Sequence, residues 1–320
     1  MRAFITGVGG FAGSHLAEHL LSLGHAVSGL LQPGAGRENT AHLAGRIALH
    51  EGDLLDAGRL SGILSAERPQ WVFHLAAQSS VRASWEDPAA TFAANVTGGL
   101  RLIEGCLALG ERPRMVVVTS AEIYGTGPAA AVIREDSPFA PLNPYAVSKL
   151  ALDLLAGQMA QARGLPLIRM RPTNHAGPRQ AISFVIPRFA SELARMEAGL
   201  AEPVLKVGNL DAARDFTDVR DVARAYALAA GRGRPGEGYL VCTGSPRRVG
   251  DILDLLLGMI RVKVRVERDP ALVRPSDPPY GKASYARLEA DTGWRPEIPF
   301  EQTVRDTLDY WRRSLSRKAV

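Results

Sequence analysis

Through the first half of the chain, short runs of apolar residues alternate with stretches whose apolar positions recur every three or four residues. The runs at 3–5, 25–31, 47–51, 71–77, 114–120 and 165–171 read as strands. Helices are predicted between them at 11–23, 55–67, 88–109 and 143–163. Strands that are apolar along their length and separated by helices imply a parallel sheet covered on both faces. The expected fold class is therefore α/β, a doubly wound parallel sheet whose ligands bind at the carboxyl ends of the strands.

After Pro172 the regularity decays, and prolines such as Pro178, Pro187, Pro203, Pro235, Pro246 and Pro270 divide the chain into short elements. Helices are expected at 218–230 and 249–260, and a strand at 262–266. No repeat, low-complexity tract or flexible linker is visible. The division expected is a dinucleotide-binding domain over 1–172 and a smaller substrate-binding lobe over 173–320. Its boundary is soft, because later segments can return to the main sheet.

Composition narrows the class. With 46% hydrophobic and 22% charged residues in 320, the chain has the make-up of a soluble globular protein. No stretch approaches the roughly 18 uninterrupted apolar residues of a membrane span, and no leader is visible at the N-terminus. Cys106 and Cys242 lie far apart in apolar surroundings and read as free thiols, so a cytoplasmic location is expected. The net charge of +5 comes from scattered arginines rather than a basic stripe with interleaved aromatics, which argues against a nucleic-acid partner. His15 and His19 are spaced to share a helix face, but with no third ligand nearby no metal is expected.

The candidate chemistry begins at the first strand. Gly7, Gly10 and Gly13 form G-x-x-G-x-x-G between strand and helix. Gly7 serves the tight turn, Gly10 the close approach of a pyrophosphate, and Gly13 the packing of helix on strand. The second strand ends at Leu31, Gln32 and Pro33, without the acid that would bind the ribose hydroxyls of NAD. Arg37 follows and can pair with a 2′-phosphate, which favours NADP(H) over NAD(H). Its other reading is a solvated loop residue. Asp53 is placed to reach an adenine amino group, and Asp56 reads as the cap of the helix after it. Tyr145 and Lys149 stand four apart on one helix face, where the ammonium is expected to lower the phenol's pKa. Ser120 ends a buried strand and can hydrogen-bond the same reacting oxygen.

These segments resemble the extended short-chain dehydrogenase/reductase family, whose Rossmann-type fold fits the strand pattern. The likeness lies in TGVGGFAGSHL, GDLLD, HLAAQ, NVTGG, VTSAEIYG and PYAVSK, and runs to the terminal TGWRP. It implies that Phe11, Leu54, Leu75, Ala76, Ala77 and Asn95 join the glycines, Tyr145 and Lys149 around an NAD(P) cofactor. In the second half, RPTNHAGPRQ, SFVIPRFA and KVGNLDAARDFTDVRDV look most similar to the branch acting on GDP-mannose derivatives. That likeness implies a GDP-sugar substrate held by Ser79, Ser120, Glu122, Asn174, Val185, Arg214 and Arg274. The two arginines would clamp its diphosphate, unless they pair with Asp215 or Asp277.

The activity implied is reduction by NAD(P)H of the C4 keto group of GDP-4-keto-6-deoxy-D-mannose to a GDP-6-deoxyhexose of the GDP-D-rhamnose type. Tyr145 would donate the proton. The alternative is GDP-mannose 4,6-dehydration with Glu122 as the C5 base, or another nucleotide-sugar epimerase or dehydratase. Ala121 departs from the serine or aspartate that dehydratases carry there. A non-catalytic NAD(P)-sensing binder is the reading from another class, and the presence of Tyr145, Lys149 and Ser120 speaks against it. The helices at 88–109 and 143–163 are more apolar than one buried face needs and resemble the family's four-helix homodimer interface.

Overall fold

The computed structural model describes residues 1–126, 132–272 and 281–318. The first half contains β1 (Arg2–Thr6), α1 (Phe11–Ser22), β2 (Ala26–Leu31), β3 (Ile47–Glu51), α2 (Ala57–Glu67) and β4 (Trp71–His74). It continues through α3 (Val81–Glu86), α4 (Pro88–Phe92), α5 (Gly98–Leu107), β5 (Arg114–Val118), α6 (Pro144–Arg163) and β6 (Leu167–Pro172). The second half begins with β7 (Asn174–Ala176), α7 (Val185–Glu197), β8 (Val204–Val207), β9 (Ala213–Arg214) and β10 (Phe216–Asp218). There follow α8 (Val219–Arg232), β11 (Gly238–Val241), β12 (Arg247–Arg248), α9 (Val249–Leu257), β13 (Arg265–Arg268), α10 (Ala286–Thr292) and α11 (Phe300–Lys318).

Seven parallel strands in the order β11-β6-β5-β4-β1-β2-β3 make the main sheet. Alternation along each strand sends side chains to both faces, so both must be covered. Ile5, Phe73, Val116 and Met170 pack with Leu16 and Leu20 of α1 and Val222 and Tyr226 of α8. Phe4, Val72, Met115 and Val117 face the other way, onto Ile63 of α2, Leu102 of α5 and Leu152 of α6. Two later segments rejoin this body: β11 extends the sheet beside β6, and Trp294 is buried in the α1–α8 layer. A separate core joins α7, α9 and α11 through Phe189, Leu193, Ile252, Leu256, Val304 and Leu308, under β8.

Three of the expected elements form differently from the sequence pattern. The long helix expected over 88–109 is interrupted by a π-helical segment, Ala93–Thr97, whose wider turn carries Asn95 into the protein interior. The strand expected at 262–266 forms at Arg265–Arg268, because only those residues find a partner, β8. Strand β4 stops at His74, and 75–77 form the loop that abuts the glycine turn.

Candidate active site

Strand order reverses between β1 and β4, and the crevice outside such a point is where doubly wound sheets take their ligands. Gly7 turns the chain there with φ +74°, and a Cβ on it would lie 2.8 Å from the Ala76 nitrogen. A Cβ on Gly13 would collide with the Gly7 carbonyl oxygen, so α1 packs on the turn at a distance only glycine allows. Gly10 caps α1 without a side chain, which leaves the first N–H groups of the helix and its positive dipole end to an anion. Beneath the turn, Thr6 Oγ1 accepts from Ala76 N at 3.3 Å and lies 2.8 Å from His74 Nδ1. This cradle fits the pyrophosphate of a dinucleotide; half-buried Leu75 and Ala76 abut Gly7, and half-buried Phe11 opens α1 against His15 and His175.

The adenosine end is less committed. Arg37 is exposed and ion-paired with Glu51 at 2.7 Å. Asp53 is exposed, its carboxylate accepting from Leu55 N at 2.9 Å, while half-buried Leu54 packs against Gly98 at the start of α5. Asp56 caps α2 by accepting from Arg59 N. Asn95 is wholly buried, behind the loop that follows β4. Its Oδ1 accepts from Gln78 N at 2.8 Å, and its Nδ2 donates to Gln78 O at 3.0 Å and Ser148 Oγ at 2.9 Å. It braces the loop after β4 against α6, and exposed Ser79 follows directly on that brace.

Ser120, Glu122, Tyr145 and Lys149 come together where β5 ends and α6 begins. Ser120 caps a single 3-10 turn, Ala121–Tyr124, by accepting from Glu122 N at 3.1 Å. Asn143 opens α6: its Oδ1 accepts from Ala146 N at 2.8 Å, and its Nδ2 donates to Glu122 Oε2 at 3.2 Å. The buried Lys149 ammonium donates to the Val118 carbonyl at 3.0 Å, and burial brings its pKa down to about 8. The expected lowering of the Tyr145 pKa is overturned. Burial pushes the phenol up, the Glu122 charge pushes it further, and the hydrogen bond with Ser120 only partly offsets them. These surroundings favour the protonated phenol.

A buried ionic cluster lies behind this centre. Asp153, on the same face of α6 as Tyr145 and Lys149, has no exposed surface. Its carboxylate accepts from Thr119 Oγ1 at 2.9 Å, Arg169 Nη1 at 3.0 Å, Arg171 Nε at 2.9 Å and Arg171 Nη2 at 2.7 Å. Arg171 also donates to the Tyr124 hydroxyl and, at 3.0 Å, to the Glu135 carbonyl. Helix α6 is therefore fixed to β5 by Asp153 on Thr119 and Lys149 on Val118, the two residues before Ser120. Sequence reasoning missed Asn143 and Asp153, though an N-cap residue before Pro144 and an acid four residues after Lys149 were visible signals.

On the substrate side, half-buried Asn174 lies in β7 beside β10, and Val185 begins α7. Arg214 is half-buried in β9, opposite Arg247 of β12, and donates to the Ala213 carbonyl at 2.7 Å. Asp215 is buried, and its carboxylate accepts from Thr243 N, Thr243 Oγ1 and Gly244 N. Arg274 and Asp277 lie outside the described residues.

Two buried histidines make the fold acid-sensitive. Burial, then Lys149, lowers His74 to about 3, and burial, then Arg179, lowers His15 to about 4, both from 6.5. Between 6.5 and those values the unfolded chain binds protons that the folded chain refuses, so stability falls on acidification. Urea midpoints measured from pH 7 to pH 4 are expected to drop, and to drop less steeply in His74→Gln. An equal slope in both proteins would remove His74 from this account.

Sheet order, glycine turn and the Ser120, Tyr145 and Lys149 arrangement define a nucleotide-dependent oxidoreductase of the extended short-chain type. The model of the GDP-mannose 4,6 dehydratase family matches residues 4–307, and the chain belongs to that family. It is 37% identical to GDP-6-deoxy-D-mannose reductase of Pseudomonas aeruginosa, over 97% of each chain. It is 32% identical to GDP-mannose 4,6 dehydratase 1 of Arabidopsis thaliana, over 96% of this chain and 88% of that one. Among solved structures, RMD from Pseudomonas aeruginosa complexed with NADPH superposes with a TM-score of 0.85 at 36% identity, covering 98% and 99% of the two chains.

Proposed function

We propose that this enzyme reduces the C4 keto group of GDP-4-keto-6-deoxy-D-mannose, yielding a GDP-6-deoxyhexose of the GDP-D-rhamnose type. The observation that carries this reading is the placing of Tyr145 with Ser120 and Lys149 where β5 ends and α6 begins, in surroundings that favour the protonated phenol. A reductase begins its cycle with a proton donor at C4, whereas a dehydratase begins by taking the C4 hydroxyl proton with a base. The full-length likeness to a GDP-6-deoxy-D-mannose reductase points the same way. The bound nicotinamide supplies the hydride. Tyr145 Oη gives its proton to O4 as the carbonyl becomes a hydroxyl, Ser120 polarises that carbonyl, and the buried Lys149 ammonium on the same face of α6 offsets the charge of the phenolate until solvent reprotonates it. NADPH is the proposed donor, in line with the cofactor of the Pseudomonas RMD structure and the absence of an acid at the end of β2.

The lobe over 173–320 would hold the nucleotide sugar through Asn174, Val185, Arg214 and Arg274. The second reading is dehydration of GDP-mannose, favoured by the position of Glu122 two residues after Ser120. Purified protein given the keto sugar and NADPH should oxidise one NADPH per sugar and leave GDP-mannose untouched. Keto-sugar formation from GDP-mannose and NADP, without net cofactor change, would favour the dehydratase instead.

Among the described residues no helix is long and apolar enough to cross a membrane. Both cysteines are free and buried, which suits the reducing cytoplasm. A homodimer is proposed through α5 and α6, with α3 and α4 beside them. Val147 and Leu154, seven apart on α6, are exposed together with Trp85 of α3 and Phe92 of α4. Light scattering should give twice the 34.3 kDa chain mass, and a monomer mass would contradict it.

A further inference from the structure

Glu122 is the residue that the two readings of the site dispute, and its environment contains a group that neither reading uses. Asn143 is bound at both ends of its amide. Its oxygen caps α6, and its nitrogen donates to Glu122 Oε2 at 3.2 Å. The reverse orientation would set the amide oxygen against a carboxylate oxygen and the amide N–H₂ against the Ala146 N–H, so the network fixes the amide as described.

We infer that Asn143 is a specificity-determining positioning residue, which tethers the Glu122 carboxylate and so restrains it from removing the C5 proton of the 4-keto sugar. This rests on the C4 reductase reading. The C5–H bond lies next to the C4 carbonyl and is acidic. If a carboxylate takes the proton, the bonding electron pair moves into a C4–C5 double bond and O4 becomes an enolate oxygen, which Tyr145 can protonate. Delivery of a solvent-derived proton to C5, with the O4 proton returning to Tyr145, then restores the keto sugar, with exchange or inversion as the outcome and no change in oxidation state.

A site built for reduction gains from suppressing that path, since it scrambles C5 before the hydride arrives. The N–H donated by Asn143 fixes the direction of the Glu122 carboxylate and occupies one of the two oxygens that could accept the proton. The same tether holds the negative charge of Glu122 near the Tyr145 phenol, where it opposes ionisation of the proton donor. One amide thereby couples the helix cap, the restrained base and the protonated acid.

The test is deuterium wash-in at C5. Protein is incubated in D₂O with GDP-4-keto-6-deoxymannose and oxidised NADP, so that no hydride is available, and the C5 signal is followed by proton NMR against a protein-free blank. Asn143→Ser keeps a good N-cap and loses the amide donor. It should raise wash-in about tenfold relative to the native protein, the scale of one charge-assisted hydrogen bond lost. Asn143→Asp also keeps the cap, places a second carboxylate beside Glu122, and should raise it at least as far, which covers the case of a poorly folded serine variant. In the double variant Asn143→Ser with Glu122→Gln, wash-in should return to the native level. Native wash-in in both single variants, or a rise that survives Glu122→Gln, overturns the inference. NADPH oxidation by the native protein, run on the same keto sugar, separates these results from failure of the reductase reading itself.

Discussion

Tyr145→Phe is expected to lower kcat for C4 reduction by about 10²- to 10⁴-fold, the range for loss of a positioned acid. The variant should bind NADPH as the native protein does. The change removes one oxygen from a half-buried ring at the start of α6 and leaves the glycine turn, Lys149 and Ser120 where they are. Because burial and Glu122 favour the protonated phenol, the native reduction rate should lack an alkaline limb from Tyr145 around neutral pH. Stopped-flow kinetics with fluorescence titration of NADPH separates the two effects. A variant within tenfold of the native kcat would mean that another group protonates O4.

Asp153→Ala is expected to destabilise the fold by about 3–5 kcal/mol, the cost of breaking a buried ion pair on one side. Arg171 is 3% exposed and would keep only the Tyr124 hydroxyl and the Glu135 carbonyl as acceptors. Thr119 would lose its carboxylate partner one residue before Ser120. Urea unfolding reads the stability, and a loss below about 1 kcal/mol would show that the cluster contributes little beyond its own desolvation. Asp153→Asn preserves the volume and part of the hydrogen bonding, so it should fall between native and alanine.

Much of the sheet was legible because parallel strands buried on both faces are written as uninterrupted apolar runs. Residues 47–51 form a strand over the expected range, and β1, β2, β5 and β6 lie within about two residues of theirs. Helix α7 was not anticipated, since Pro187 reads as a breaker. A proline in the first turn is tolerated, and Ile186, Phe189, Ala190 and Leu193 carry the helical period. Helix α11 was also missed, although Val304, Leu308, Trp311 and Leu315 lie on one stripe.

At the site, the glycines announced themselves through a turn that only glycine permits. The charge state of Tyr145 did not, because helical spacing brings Lys149 close along α6 but is silent about where its ammonium points. That ammonium is aimed at Val118 O, and the charge that matters most at the phenol comes from Glu122, on a different element. The burial of Asn95 was likewise not legible, because the π-helical turn that carries it inward leaves no mark in the helical spacing.

In C4 reduction the hydride of the nicotinamide is delivered to C4 of the sugar and stays there. NADPH deuterated at the transferable C4 position of its nicotinamide would be mixed with protein and GDP-4-keto-6-deoxymannose, and the product sugar examined by deuterium NMR and mass spectrometry. One deuterium per sugar is expected, located at C4, with loss of one NADPH. Product without cofactor-derived deuterium at C4, or label found at C6, would contradict it.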